Sequence, residues 1–392
     1  MPAFYEFFAG GGMARLGLGP EWTCLFANDI CEKKAASYRE NFNGAPEMQT
    51  GDVWSLNAAD LPGRADLAWA SFPCQDLSLA GARGGLHARR SGAFWGFWRL
   101  MQELDAEGRA PHTLALENVV GLLTSRRGKD FETLLAVLSE KGYRVGALVL
   151  DGACFTPQSR PRLFIVATRA AAPEGAPAAC WLHPSLLRAF DRLPPSLREN
   201  WFWPPLPAPP PRAVGLENVI ERDPPDALWR SPEETRRLLG QMSPSNAFKL
   251  EQARKLARER GATIHGMGYR RTRTERGVKR QRFEVRFDGV AGCLRTPAGG
   301  SSRQFVVRVS PEGERVRLLS PREAARLMGL PDDYRLPDRY NEAYHLCGDG
   351  VVVGAVRWLS AHVLTPIARN QNARPNHEER IRAGHHSLLA IR

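Results

Sequence analysis

Short apolar runs alternate with amphipathic stretches over the first 168 residues of the chain. Six of these runs have the length of a buried strand, and residues 131–138 carry phenylalanine and leucine at helical spacing. The predicted strands are 3–8, 23–28, 66–72, 112–117, 143–150 and 163–168. This alternation is typical of βαβ units and predicts an α/β domain with a mostly parallel sheet.

The pattern changes after residue 169. Residues 170–179 are mainly alanine and proline, which is a linker composition. Residues 194–211 contain eight prolines, with Trp201 and Trp203 among them. Because proline cannot donate to a sheet ladder, this second stretch should lie outside any central strand.

Two later segments have the sequence of a helix start. Residues 231–234 (Ser-Pro-Glu-Glu) and 320–323 (Ser-Pro-Arg-Glu) are capping boxes, and the second helix should run through Met328 and end at Gly329. Residues 351–364 are apolar over a helical length. We therefore expect a first part of the α/β domain at 1–175, a smaller irregular insert at 176–298, a return at 299–366 and a polar tail at 367–392.

Charge is concentrated in one part of the chain. Residues 249–286 hold 13 lysines and arginines against four glutamates, so +9 of the net charge of +12 lies there. Such a segment is typical of a surface that binds a polyanion, although a solvated basic helix face would show the same composition.

Cysteine usage and hydropathy indicate the compartment. The seven cysteines form no C-x-x-C pair, which favours a reducing compartment and argues against a disulfide framework or a structural zinc site, so no metal is expected. No secretory leader and no apolar run of about 18 residues is evident, so we expect a soluble cytoplasmic protein without a membrane span.

Cys74 is the first candidate for chemistry. It follows the apolar run 66–71 in Phe72-Pro73-Cys74-Gln75, at the end of a predicted strand, where open α/β sheets place reactive groups. Pro73 fixes its own φ and ends the strand, and a thiolate is a strong nucleophile. The alternative is that Cys74 is a small buried hydrophobic residue.

Three further groups follow the first strands. Glycines 10–12, after Phe8 and Ala9, would let the backbone approach a ligand closely, but their spacing is not that of a dinucleotide fingerprint. Asp29 could hold ribose hydroxyls, and Asp52 could accept from an adenine amino group. An ordinary turn or cap would explain each of these residues equally well.

A possible acid–base pair follows the later strands. Glu117, in Glu117-Asn118-Val119, should lie at the same sheet edge as Cys74. Arg160 and Arg162 are two residues apart in an extended segment, so they point to one side and could hold Glu117 and a ligand. A surface salt-bridge cluster is the alternative.

Taken in order, these motifs resemble those of the DNA cytosine-5 methyltransferases over residues 3–168 and 291–364. The motifs are Phe8-Ala9-Gly10-x-Gly12, Asp29, Gly51-Asp52-Val53, Pro73-Cys74-Gln75, Glu117-Asn118-Val119, Gln158-x-Arg160-x-Arg162, residues 322–327 (Arg-Glu-Ala-Ala-Arg-Leu) and Gly348-x-x-Val351. The resemblance implies a Rossmann-like methyltransferase sheet with an inserted target-recognition domain, and S-adenosylmethionine as cofactor.

The resemblance also implies roles for single residues. Cys74 would attack carbon 6 of a flipped cytosine, Glu117 would hold or protonate ring nitrogen 3, and Arg162 with Arg160 would bind the base and orient Glu117. The implied cofactor-binding residues are Phe8, Ala9, Gly10, Gly12, Asp29, Asp52, Val53, Pro73 and Asp349.

Double-stranded DNA is the implied partner. Residues 75–91 look like the family's mobile loop, and the insert takes the place of the target-recognition domain. The implied DNA-binding residues are Gln75, Ser78, Arg83, Arg89 and Arg90 in the loop, and Arg270, Arg271, Arg273, Lys279, Arg280 and Arg282 in the insert. We expect a monomeric prokaryotic modification enzyme acting on chromosomal DNA, with a separately acting restriction endonuclease as an open option.

Some positions depart from the family pattern, and three other functions compete. Asp349 stands where the family usually has asparagine, Met13 where a further glycine is common, and Asp151 where asparagine is common. The competing functions are a tRNA cytosine-5 methyltransferase, for which Cys154-Phe155-Thr156 resembles a signature, a non-enzymatic nucleic-acid-binding regulator and a nicotinamide dehydrogenase. The recognised DNA sequence cannot be predicted from the insert.

Overall fold

The computed structural model describes residues 1–73, 92–173, 175–296 and 303–372. Within these ranges the amino-terminal part forms one seven-stranded sheet. Its strands are β1 (Ala3–Phe7), β2 (Thr23–Asp29), β3 (Met48–Thr50), β4 (Leu67–Ala70), β5 (Thr113–Val119), β6 (Arg144–Asp151) and β7 (Pro161–Thr168). Each of the six predicted strands overlaps one of these, and the α/β class is confirmed. β3 is the additional strand.

The strand order in this sheet is β3-β2-β1-β4-β5-β7-β6. Strands β1 to β5 are parallel, and β7 lies antiparallel between β5 and β6. The order reverses beside β1, because β2 lies on one side of it and β4 on the other. In open α/β sheets such a reversal leaves a crevice at the carboxyl ends of the strands.

Helices cover both faces of the sheet. Along β1, Phe4 packs into one hydrophobic cluster with Met13 and Val356, whereas Phe7 packs into a second cluster with Phe97 and other residues of the opposite face. The helices are α1 (Met13–Leu18), α2 (Glu32–Asn41), α3 (Ala93–Ala106), α4 (Lys129–Glu140), α5 (Pro184–Asp191), α6 (Pro195–Glu199), α7 (Leu216–Val219), α8 (Pro232–Gly240), α9 (Pro244–Arg260), α10 (Pro321–Leu327), α11 (Tyr340–Asp349), α12 (Val353–Leu359) and α13 (Thr365–Asn372). The predicted helical spacing of residues 131–138 belongs to α4.

The proline-rich stretch 194–211 lies outside the central strands, as its composition predicts. It runs along the edge strand β6, where Trp201 forms an isolated bridge with Val145 and the Phe202 N–H donates to the Val145 carbonyl at 3.0 Å. The stretch therefore covers an edge that would otherwise present unpaired backbone groups.

A second, antiparallel sheet follows. It contains β8 (Ile264–Glu275), β9 (Val278–Arg286), β10 (Gln304–Ser310) and β11 (Gly313–Leu318), in the order β11-β10-β8-β9. The apolar side of α9 packs on it through Leu250, Ala253 and Ala257. The predicted insert ended at residue 298, whereas this sheet also takes in β10 and β11.

Both predicted capping boxes are present, at the starts of α8 and α10. The α10 helix ends at Leu327, and Gly329 follows with a φ of +79°, a conformation that favours glycine. Among the described residues, the helical stretch Tyr340–Asn370 has the length and hydropathy of a membrane span, but 67% of its most apolar window is buried inside the fold. It contributes α12 to the core beneath the first sheet.

Candidate active site

A cavity of about 390 Å³ lies at the reversal of strand order. Its walls are the loop after β1, the start of α2, the segment that follows β4, the end of β5, the start of β7 and the end of α11. Six parts of the chain therefore meet at the predicted sheet edge.

The glycine-rich loop forms one wall of this cavity. Phe8, Ala9, Gly10 and Gly11 line it, and Phe8 adopts a φ of +57°, which is unusual for a residue with a side chain. Gly10 has the same φ and meets nothing within 4 Å at its missing Cβ position, so its backbone faces open space.

Gly12, unlike the four residues before it, lies outside the cavity wall. It is not among the residues lining the cavity, and a Cβ there would lie 2.3 Å from the Phe42 ring. Its φ of +76° and this close approach show that glycine is needed for packing against α2.

The two predicted aspartates are placed differently. Asp29 lines the cavity, and its carboxylate accepts hydrogen bonds from the N–H groups of Gly10 and Cys31, both at 2.8 Å. Asp52 caps the turn after β3 by accepting from the Trp54 N–H at 3.0 Å. Asp52 and Val53 lie outside the lining of the cavity.

Glu117 and Arg162 form an ion pair on the opposite wall. Glu117 Oε1 lies 3.2 Å from Arg162 Nε, and the two side chains are only 10% and 15% exposed. Burial raises the pKa of Glu117, although Arg162 and Arg160 act in the opposite direction. Glu117 is therefore an acid that can carry a proton closer to neutral pH than an exposed glutamate.

Arg160 contacts backbone rather than Glu117. Its guanidinium donates to the carbonyls of Leu294, Gly348 and Gly350 at 2.7–2.8 Å, and it is almost fully buried. Arg160 thus joins β7 to two segments more than 130 residues later in the chain.

Cys293 is a site residue that the sequence did not indicate. Its sulfur lies 3.3 Å from Arg160 Nη1 and 3.8 Å from Arg162 Nη2, so the thiol is between the two guanidinium groups. No local sequence signal distinguishes it from the other cysteines.

Glu6 was also missed, although a charged residue inside the apolar first strand was a visible signal. It lines the cavity, is fully buried, and accepts from the Tyr38 hydroxyl at 3.0 Å and the Arg15 N–H at 3.3 Å. Burial raises the pKa of Glu6 to about 7.

Asp349 lines the cavity with a partner that the sequence did not indicate, Lys34. The Lys34 ammonium lies 2.6 Å from one Asp349 carboxylate oxygen, and the Thr296 hydroxyl bonds the other.

Six predicted residues, Cys74, Gln75, Ser78, Arg83, Arg89 and Arg90, lie outside the described residues. Pro73, the residue directly before Cys74 in the chain, lines the cavity. The Asn118 amide donates to the Phe72 carbonyl at 3.0 Å, which links this segment to the strand that bears Glu117.

The basic insert residues do not share one surface. β8 and β9 form a long hairpin, and alternation along each strand divides the predicted residues between its two faces. One face carries Arg271, Arg273, Arg280 and Arg282, and the other carries Arg270 and Lys279.

Arg271, Arg273 and Arg282 of the first face, together with Arg270, line a cleft of about 870 Å³. The cleft extends to Cys293 and Arg295, next to the Glu117–Arg162 pair, whereas Lys279 and Arg280 do not line it. Two of its arginines are paired on the hairpin, Arg273 with Glu284 and Arg282 with Glu275. Arg271 instead lies over the Tyr269 ring, 5.1 Å from its centroid. The cleft therefore combines positive charge with an aromatic side chain beside the candidate active site.

Comparison with known families agrees with this geometry. Residues 3–364 match the model of the C-5 cytosine-specific DNA methylase family. The chain belongs to this family and is a DNA cytosine-5 methyltransferase that uses S-adenosylmethionine. The predicted family, fold class, enzyme class and cofactor are thereby confirmed.

Relatives align over nearly the whole chain. The Type II methyltransferase M.NlaX of Neisseria lactamica is 26% identical over 376 residues, which cover 93% of this chain and 96% of that protein. M.HhaI of Haemophilus parahaemolyticus is 25% identical and covers 92% and 93%. M.BsuFI of Bacillus subtilis is 34% identical, but over only 42% of this chain and 38% of its own length.

Solved structures share the fold. The S. pombe Dnmt2 methyltransferase superposes with a TM-score of 0.57 at 17% identity, covering 93% of this chain and 99% of that one. The Entamoeba histolytica methyltransferase EhMeth gives a TM-score of 0.56 at 13% identity, covering 93% and 98%. The likeness at this identity concerns the fold alone.

Proposed function

We propose that the enzyme methylates carbon 5 of a cytosine flipped out of a specific duplex DNA sequence, through a covalent adduct on Cys74. The observation that carries the proposal is the cavity itself. It runs from the glycine-rich loop to the Glu117–Arg162 pair, and Pro73, the chain neighbour of Cys74, lines it. The cofactor and the target cytosine could therefore bind next to each other in this cavity.

The residues of the cavity fit S-adenosylmethionine. A volume of about 390 Å³ is in the range of small-molecule sites. Phe8, Ala9 and Gly10 would hold the methionine end, and Asp29 the ribose, with Pro73 and Asp349 on the remaining walls. When bound, the cofactor supplies an electrophilic methyl carbon. Asp52 does not line the cavity, so it would contact the cofactor only where the cofactor extends beyond the lining residues.

Cys74 and Glu117 divide the chemistry on the base. The Cys74 sulfur forms a bond to carbon 6, while Glu117, paired with Arg162, donates its proton or a charge-assisted hydrogen bond to ring nitrogen 3. Negative charge would then build at carbon 5, which takes the methyl group as its bond to the donor sulfur breaks, leaving S-adenosylhomocysteine. Loss of the carbon 5 proton to water would then break the bond between carbon 6 and the Cys74 sulfur and free Cys74.

The reaction requires the base to leave the duplex, because a stacked ring cannot meet a nucleophile from the protein. The cleft beside Cys293 and the first face of the hairpin support a DNA-binding role for the insert, which we assign to target recognition. We further propose that the enzyme acts on chromosomal DNA in the cytoplasm of a prokaryote, with a separate endonuclease recognising the same sequence.

Trapping with 5-fluorocytosine tests the adduct. A duplex with 5-fluorocytosine at the target should form a stable covalent complex, because fluorine cannot leave as the proton does. Cys74→Ser should abolish the complex and reduce methyl transfer below about 1% of the parent rate, since a hydroxyl is a weaker nucleophile at neutral pH.

Cys293→Ser is the matched control, because Cys293 is the described cysteine whose sulfur contacts Arg162. This variant should still form the complex, and peptide mapping by mass spectrometry should find the base on Cys74. A complex that persists in Cys74→Ser, or maps to Cys293, would show that the nucleophile is misassigned.

A further inference from the structure

Two charged residues at the rim of the cavity occupy helix ends that do not favour them. Lys34 lies in the first turn of α2, where the helix dipole is positive, and Asp349 is the last residue of α11, where it is negative. Each charge is locally unfavourable by itself. Their contact, at 2.6 Å, offsets both.

The ion pair between Lys34 and Asp349 also joins parts of the chain that are distant in sequence. Asp349 uses one carboxylate oxygen for Lys34 and the other for the Thr296 hydroxyl, which follows the segment held by Arg160. Both Lys34 and Asp349 line the cavity, and their side chains are 22% and 38% exposed. The ion pair is therefore part of the cavity wall.

We propose that Lys34 is a positioning residue for the cofactor, because its ion pair with Asp349 holds the end of α11 across the rim of the cavity. The pair also explains how the chain accommodates an aspartate at 349, since an unpaired carboxylate would line the same cavity as the Asp29 carboxylate. Burial lowers the pKa of Lys34, but Asp349 and Asp29 more than offset this, so the pKa is raised and the ammonium stays charged.

A neighbouring ion pair provides the control. Lys33 Nζ lies 2.5 Å from Glu342 Oε1 and joins the same two helices, but neither residue lines the cavity. If the rim pair acts on the cofactor, its removal should matter more than removal of this outer pair. If the helices only need to be tied together, the two removals should have the same effect.

Calorimetric binding of S-adenosylhomocysteine to the full chain without DNA tests the proposal. Lys34→Met should weaken binding roughly five- to tenfold, a modest effect because the pair is partly exposed. The double variant Lys34→Met/Asp349→Asn should bind about as weakly as Lys34→Met, because both changes break the same ion pair. Lys34→Arg should retain binding, and Lys33→Met should change it by less than about twofold.

Unchanged binding in Lys34→Met would overturn the proposal, as would an equal weakening in Lys33→Met or a double variant whose binding differs from that of Lys34→Met by more than about twofold. The proposal rests on the proposed function only in placing the cofactor in this cavity, and Asp29→Asn tests that placement separately. If Asp29→Asn binds like the parent, the cavity assignment fails. If it loses binding while Lys34→Met does not, only the role of Lys34 fails.

Discussion

Glu6 is a carboxylic acid in the middle of a strand that is otherwise apolar and buried. Its neighbours are the Tyr38 hydroxyl and the Arg15 N–H, with Asp29 adding negative charge from the next strand. Arg15 in turn contacts Tyr38 and Glu47, so the acid ends a polar network beneath the glycine-rich loop. Burial raises its pKa to about 7, which places its titration near neutral pH.

This titration should appear in the stability of the protein. The protonated acid is favoured in the folded state, so the stabilisation is complete below the unfolded pKa of 4.5 and is lost as the pH rises through about 7. The shift of this pKa from 4.5 to about 7 corresponds to a loss of roughly 3 kcal/mol in the free energy of unfolding. Urea unfolding over pH 4.5 to 8 should show the parent losing this amount relative to Glu6→Gln, which stays neutral.

Tyr38→Phe tests the direction in which the pKa of Glu6 shifts. The variant removes a hydrogen bond that lowers the pKa of Glu6, so the fall in stability should extend to higher pH. Parallel pH profiles for the parent and Glu6→Gln would mean that Glu6 does not titrate in this range.

At the scale of elements, the β8–β9 hairpin permits a matched comparison of residues inside and outside the cleft. Arg271→Gln/Arg273→Gln removes two charges that line the cleft, and Lys279→Gln/Arg280→Gln removes two charges near the hairpin turn that do not line it. If DNA lies in the cleft, the first variant should flatten the slope of log K against log salt by roughly 0.9 for each phosphate that the protein no longer neutralises. The second should leave the slope near that of the parent.

Binding titrations over a range of salt concentrations measure both slopes. Equal slopes for the two variants would show that the predicted basic segment acts only through its net charge. A larger effect from the second variant would place DNA near the hairpin turn and remove the cleft from the recognition surface.

The same hairpin is an example of an element that could not be predicted from the sequence. Buried parallel strands such as β4 are visible in the sequence as unbroken apolar runs, which is why the first sheet and its site edge were predictable. In β8 and β9 arginine occupies both faces, so no alternation marked two strands. β3 is too short to show a pattern. The lining residue Lys34 belongs to the site through a contact across the fold, which local sequence does not encode, whereas the charge of Glu6 inside an apolar strand was a visible signal.

At the scale of the whole molecule, two buried arginines each connect a sheet to segments that lie elsewhere in the chain. Arg317 of β11 pairs with Glu323 at the start of α10, and the two side chains are 1% and 0% exposed. Glu323 also accepts from the Glu221 N–H at 2.8 Å. Arg160 makes the corresponding connection on the side of the active site, through backbone carbonyls of the segments that carry Cys293 and Asp349.

These contacts separate the roles of the two arginines that the sequence predicted as one catalytic pair. Arg160→Met would leave two buried carbonyls and one partly buried carbonyl without their donor, and at about 1–3 kcal/mol for each unsatisfied buried group the protein should be destabilised by several kcal/mol. Binding of S-adenosylhomocysteine should fall with it, because Gly348 and Gly350 line the cavity.

Arg162→Met is the matched control, since this side chain pairs with Glu117 and makes no hydrogen bond to those three carbonyls. It should slow single-turnover methylation while the urea midpoint stays close to that of the parent, because the Arg162 guanidinium holds a reacting group rather than a chain segment. If Arg160→Met instead unfolds like the parent and loses only the rate of methyl transfer, Arg160 acts on the base as the sequence predicted. If Arg162→Met is the less stable of the two, the connection between the segments depends on the Glu117 pair.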